Sequence, residues 1–234
     1  MHERKRVAQL IAEDAGLLAL KERIAPRVSE DPGHDMAHCL RVAAWTLRLG
    51  GAQVDAREAV AAALLHDAVN LPKDSPERAR AGALSAELAQ TELSALGFPA
   101  QSIARIVAAV RDHSYSRGAT PADALGRALQ DADRLEALGA IGLMRCVAVN
   151  TQMRGRFFDP DDPWARAREL QDTRYFVDHF FTKLLALPES LCTEAGRCEA
   201  RRRGAFLRQF LQQLADELGE PFSLPDVGQR AASP

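Results

Sequence analysis

The stretch Ala59-Val60-Ala61-Ala62-Ala63-Leu64-Leu65-His66-Asp67 constrains this chain more than any other. Seven consecutive apolar residues, rich in alanine and leucine, read as a core helix. A histidine and an aspartate follow it directly. A core helix has no packing use for that pair, and burying a carboxylate costs several kcal/mol unless a cation or hydrogen-bond donors compensate it. A divalent metal ion at the helix end is the economical compensation, so its other ligands must come from elsewhere in the chain.

Apolar residues recur at helical spacing along nearly the whole sequence, with almost no strand-like alternation. Residues 4–29 show this pattern, interrupted at Asp14-Ala15-Gly16. Asp31-Pro32-Gly33 marks a turn, and the following helix carries His38 and stops at Gly50-Gly51. Asp55 fits the N-cap of the helix that leads to His66. Residues 70–76 contain two prolines and read as a loop, with Ser75-Pro76 opening a helix that ends at Gly97. Pro99 opens another, which runs to about His113, and Pro121 opens one that includes Asp131 and Asp133. Residues 135–149 read as helix despite Gly139 and Gly142. A loop at 157–163 leads into a long helical region over 164–187, and 194–218 form a last long helix. The expectation is an all-α, single-domain bundle of about nine or ten helices spanning 1–218. Residues 190–218 are read as an appended C-terminal helix and 219–234 as a flexible tail.

With 234 residues, 47% of them apolar, the chain can bury a substantial core. A net charge of −2 argues against nucleic acid as the main partner. The longest apolar runs fall well short of the roughly 18 residues a membrane span needs, and the charged start 1–6 has no signal-type apolar run behind it. The expected location is cytoplasmic. Cys39, Cys146, Cys192 and Cys198 form no Cys-x-x-Cys pair and read as free thiols.

His38, His66, Asp67 and Asp133 are the candidate ligands. Each lies near an expected helix end or beside apolar residues. Taken singly, a histidine on a helix is more often a hydrogen-bonded core residue, and an aspartate near a terminus is usually a cap. The ordered set, in an all-helical chain, favours a metal. Imidazole nitrogens mixed with carboxylate oxygens suit Mn, Fe, Ni, Co or Zn better than Mg or Ca. Four protein ligands on a six-coordinate ion leave two positions for water and substrate, which is a catalytic arrangement.

The four blocks Gly33-His34-Asp35-x-x-His38-x-x-Arg41-Val42, Ala63-Leu64-Leu65-His66-Asp67, His113-Ser114-Tyr115-Ser116 and Gln130-Asp131-Ala132-Asp133-Arg134-Leu135-Glu136-Ala137-Leu138-Gly139-Ala140-Ile141-Gly142 occur in that order. They resemble a bacterial branch of the HD-domain superfamily of metal-dependent phosphohydrolases, as does His179-Phe180-Phe181-Thr182-Lys183-Leu184-Leu185. The likeness spans roughly 5–218. It implies one divalent transition metal on His38, His66, Asp67 and Asp133; Asp133 is chosen over Asp131 because it directly precedes Arg134. Some HD hydrolases carry Glu or Lys three residues after the His-Asp aspartate. Asn70 stands there in this chain, so the proton-transfer group must be another residue or the metal-bound water.

The expected chemistry is attack of an activated water on phosphorus, with Asp67 orienting it. Lys73 is the first choice to offset developing negative charge and Arg41 the second; Arg41 lies three residues beyond His38, on the same helix face. His34, Asp35 and His113 are candidates for substrate contact or leaving-group protonation, and Asp131 for orienting a ligand histidine. The substrate is expected to be a small phosphorylated metabolite, nucleotides first. In this branch the resemblance implies cleavage of nucleoside triphosphates to monophosphate and pyrophosphate, with monophosphate to nucleoside as the near alternative. Two other readings stay open: a metal-containing nucleotide sensor or interaction module without turnover, and a weaker one, a di-iron oxygenase. A homodimer through the long C-terminal helices is compatible with the sequence.

Overall fold

Residues 59–65 are all 0% exposed, and they belong to a helix that touches six others. This is α4 (Ala56–Leu65), packed against α1 (Glu3–Glu13), α2 (Ala15–Ile24), α3 (Met36–Gly50), α5 (Ala81–Ala95), α6 (Ala100–Asp112) and α7 (Ala124–Glu136). A helix apolar on every side must be enclosed on every side, and its five alanines let neighbours approach closely. The remaining helices are α8 (Gly139–Gln152), α9 (Phe176–His179) and α10 (Glu194–Leu218). The computed structural model describes residues 3–28, 33–69, 71, 77, 80–114 and 118–224. Among these there are ten α-helices and no strand, as an all-α reading requires; one isolated parallel bridge joins Arg156 and Tyr175. No described helix is long and apolar enough to cross a membrane, and the four cysteines are free thiols.

The described residues fall into two units, Met1–Glu136 with Leu191–Gly196 and Ala137–Ser190 with Arg197–Pro234. In the first, aspartates start three successive helices. Asp14, Asp35 and Asp55 accept the backbone N–H of Leu17, His38 and Glu58 at 2.9, 2.8 and 3.0 Å. The N-terminal end of α4 is clamped by ion pairs, Arg57 to Asp14 and Arg105 to Glu58. Those clamps fix where the opposite end of α4, with His66 and Asp67, emerges. Buried Asp131 on α7 accepts from the backbone N–H of Cys192 and of Thr193 and from the Thr193 hydroxyl, each at 2.7 Å. It anchors segment 191–196, so it does not orient a ligand histidine.

The second unit buries Trp164, Phe176, Phe180, Leu184, Leu207 and Leu211. The rings of Phe180 and Phe210 stack at 5.8 Å. The expected long helix over 164–187 is not present. Side chains hold much of that segment in turns: Asp162 accepts the backbone N–H groups of Arg166 and Ala167, and Arg168 grips fully buried Asp178 through two hydrogen bonds of 2.6 and 2.7 Å. Local bonds from an aspartate to following amides compete with helix formation. Helix resumes only at α9, which runs into a π-type turn over Phe180–Leu184. The expected helix over 135–149 is likewise split. α7 ends at Glu136, and α8 begins at Gly139 with φ of 70°, a left-handed conformation that glycine adopts without a Cβ penalty. The Ser75-Pro76 start and the 225–234 part of the tail lie outside the described residues.

Candidate metal centre

Three helices of the first unit and the turn after one of them bring the four candidate ligands together. His38 lies in the first turn of α3, and Asp133 faces it from the last turn of α7. His66 is the C-cap of α4, and Asp67 follows in the turn that closes when Ala68 N–H donates to the Leu65 carbonyl. One donor atom from each of His38, His66, Asp67 and Asp133 falls within 4.8 Å of the others. The two Nε2 atoms are 3.2 Å apart. His38 Nε2 lies 3.6 Å from Asp133 and 3.9 Å from Asp67, and His66 Nε2 lies 3.6 Å from Asp67 and 3.9 Å from Asp133. Donors about 2.1 Å from one ion sit about 3.0 Å apart when adjacent in an octahedron and about 4.2 Å when opposite. The His–His and His–Asp spacings of 3.2–3.9 Å fall inside that range.

Hydrogen bonding settles which face each imidazole turns inward. His66 Nδ1–H donates to the Ala63 carbonyl at 2.7 Å, and His38 Nδ1–H donates to the Glu136 carboxylate at 3.4 Å. Each neutral ring then has its proton on the outer nitrogen and its lone pair on Nε2. Two lone pairs 3.2 Å apart, facing two carboxylates, form a cluster of acceptors that repel one another. A cation at the centre removes that repulsion, so the donor set fits a divalent metal. Both histidines are 0% exposed while the Asp67 and Asp133 side chains are 23 and 24% exposed. The carboxylates therefore form the open side of the site, where water and substrate would enter.

Burial pushes the His66 imidazole down to about 4, against the opposing pull of Asp67. Burial works against ionisation of Asp67, but the surrounding imidazoles, led by His66, hold its carboxyl well below the usual range; Asp133 is lowered for the same reason. A pH dependence of stability follows for the metal-free protein. From pH 6.5 down to about 4 the unfolded chain protonates His66 and the fold does not, so stability falls with pH by up to about 3 kcal/mol from this group. The raised His113 acts in the opposite sense, since its contribution is present at low pH and lost as pH rises through its folded value. Urea unfolding at pH 7 and pH 4.5 should show the decline, and His66→Gln should flatten it. An equal decline in the variant would refute this assignment.

His113, the C-cap of α6, reaches the same cluster. Its Nδ1–H donates to the Val110 carbonyl at 2.6 Å, and its Nε2 lies 3.5 Å from Asp67. Burial alone would lower its affinity for protons, but the bond to Asp67 and the charges of Asp67 and Asp133 raise it. His34 is near as well, its ring 6.0 Å from that of His38. Asp35 is engaged as the α3 N-cap. Arg41 donates from Nε to Glu136 at 2.6 Å. Lys73 and Asn70 lie outside the described residues. Glu136 carries no role in the sequence reading although it stands in the Asp133 block. Its spacing of three from Asp133 puts both on the α7 face that meets α3, and that spacing was the available signal.

A model of the HD domain family matches residues 36–138, the stretch that contains all four clustered residues. The uncharacterized protein YpgQ of Bacillus subtilis is 30% identical over 195 residues, covering 81% of this chain and 86% of the relative. The crystal structure of YpgQ in complex with ADP superimposes with a TM-score of 0.65 at 26% identity, covering 85% of this chain and 95% of that one. A Lactobacillus plantarum protein gives 0.67 at 25% identity, covering 86% and 96%. An uncultured Thermotogales protein described as a predicted HD superfamily hydrolase gives 0.59 at 24% identity over 90% and 97%, a likeness of fold. With the family model over the clustered residues and a relative matched along most of both lengths, this chain belongs to the HD-domain superfamily.

Proposed function

We propose that the protein is a metal-dependent phosphohydrolase of nucleotides that cleaves nucleoside triphosphates to monophosphate and pyrophosphate. The observation that carries the hydrolase reading is the convergence of two imidazole lone pairs and two carboxylates on one partly open point. A divalent transition ion held by His38, His66, Asp67 and Asp133 supplies Lewis-acid polarisation of a phosphoryl oxygen and an acidified water. Asp67 turns one oxygen toward that cluster and the other toward His113, so it can orient the attacking water. His113, its ring fixed through Nδ1, can hold a proton at Nε2 next to Asp67 and pass it to the leaving oxygen. Arg41 and His34 stand beside the cluster and offer donors to phosphate, and Lys73 is assigned the same role from its position in the sequence. The nucleotide reading is supported by the ADP complex of YpgQ together with the resemblance of the four sequence blocks.

The test is a panel of nucleoside triphosphates, monophosphates and generic phosphate esters assayed with Mn, Co, Ni and Mg, with products resolved by chromatography. Pyrophosphate and monophosphate released in equal amounts, and lost with chelator, are the expected result. Tight nucleotide binding without turnover would instead make the protein a sensor, and release of nucleoside and phosphate would make it a monophosphatase.

A further inference from the structure

Among the described residues, Glu136 is a carboxylate in contact with both a clustered histidine and the nearby arginine. It is 0% exposed. A single oxygen, Oε2, accepts from His38 Nδ1–H at 3.4 Å and from Arg41 Nε at 2.6 Å. The other oxygen, Oε1, is buried with no hydrogen-bond partner. Burial opposes ionisation here, but the His38 hydrogen bond and the Arg41 charge hold the carboxyl below its usual range. A buried carboxylate with an unsatisfied oxygen is a poor choice for stability alone.

We propose that Glu136 is a positioning residue that sets the metal ligand His38 and the phosphate-binding Arg41 in one fixed relation. Its negative charge behind His38 fixes the Nδ1–H tautomer, keeps the Nε2 lone pair inward and strengthens that nitrogen as a ligand. The same oxygen takes the Nε of Arg41, which leaves the two terminal guanidinium nitrogens to meet an anion. Substrate phosphate is thereby read at a set distance from the ion, across the α3–α7 contact.

This inference rests on the metal reading above. Mn2+ titration of the metal-free protein tests it without turnover. Glu136→Gln keeps volume and an acceptor but removes the charge. It should weaken Mn2+ binding about 10- to 100-fold while the metal-free melting temperature stays close to that of the wild type. Arg41→Ala should weaken Mn2+ binding less than Glu136→Gln does and raise KM for a nucleoside triphosphate far more than it lowers kcat. Nitrogen NMR of metal-free wild-type protein gives a check that needs no variant: His38 should carry its proton on Nδ1. Wild-type affinity in Glu136→Gln, or a His38 without the Nδ1 proton, would overturn the proposal. A wild-type protein that binds no Mn2+ would instead defeat the metal reading itself.

Discussion

Asp67→Ala should remove metal binding and turnover together, with kcat/KM down at least about 1,000-fold, or roughly 4 kcal/mol of transition-state stabilisation. The reason is geometric. Asp67 lies within 3.9 Å of His38 and 3.6 Å of His66 on the metal side, and 3.5 Å from His113 on the other. On the proposed mechanism, its loss takes away a metal ligand and the group that orients the water, and it removes the partner that raises His113. His66→Ala should have a comparable effect on metal content. Asp67→Asn separates the parts: it keeps the shape and one acceptor but lacks the charge, so metal binding should be weakened and the acidity of His113 should shift toward that of an isolated buried imidazole. Metal content by elemental analysis and kcat/KM, measured on the same preparations, check this. Full metal and full activity in either alanine variant would show that the cluster is not the catalytic centre.

Asp131→Ala should be the most destabilising of the site-proximal substitutions. Three donors, two of them backbone amides, converge on one fully buried carboxylate. Removing it strands those donors, at a cost of about 3–5 kcal/mol, which lowers the melting temperature of a chain this size by about 10 °C or more. Asp133, two residues further along α7, points to the histidines. Asp133→Ala should therefore leave the metal-free melting temperature nearly unchanged, because it removes a carboxylate from a crowd of acceptors, and should abolish the increase in melting temperature that metal ions produce. Thermal melts of both variants with and without Mn2+ distinguish the two aspartates. Reversal of the pattern would exchange their roles.

These two aspartates also show what was legible in the sequence. The alanine-leucine run ending in His66-Asp67 was readable because an apolar helix followed by two polar groups leaves few explanations. His38 and Asp133 were found as partners through their block context, and the fold brings all four within one ion's reach. Asp131 was misread because it sits in the same block and differs from Asp133 only in which side of α7 it occupies. Its partners, Cys192 and Thr193, are some sixty residues away and leave no local trace. Glu136 was passed over because a glutamate near a helix end normally faces solvent, and only the packing of α3 against α7 buries it. The 164–187 segment failed for a different reason. Phe176, Phe180 and Leu184 are core residues four apart, as on one helix face, yet Asp162 and the Arg168–Asp178 pair tie the backbone ahead of them into turns through side-chain bonds. Hydrophobic periodicity does not register such bonds.

A crystal of the protein soaked in Mn2+ and examined by anomalous scattering puts the central claim to the most direct test. One anomalous peak is expected, bonded to His38 Nε2, His66 Nε2 and one oxygen each of Asp67 and Asp133 at about 2.1–2.3 Å, with water completing the coordination. An ion bound elsewhere, or no peak between those four side chains at saturating metal, would contradict the account.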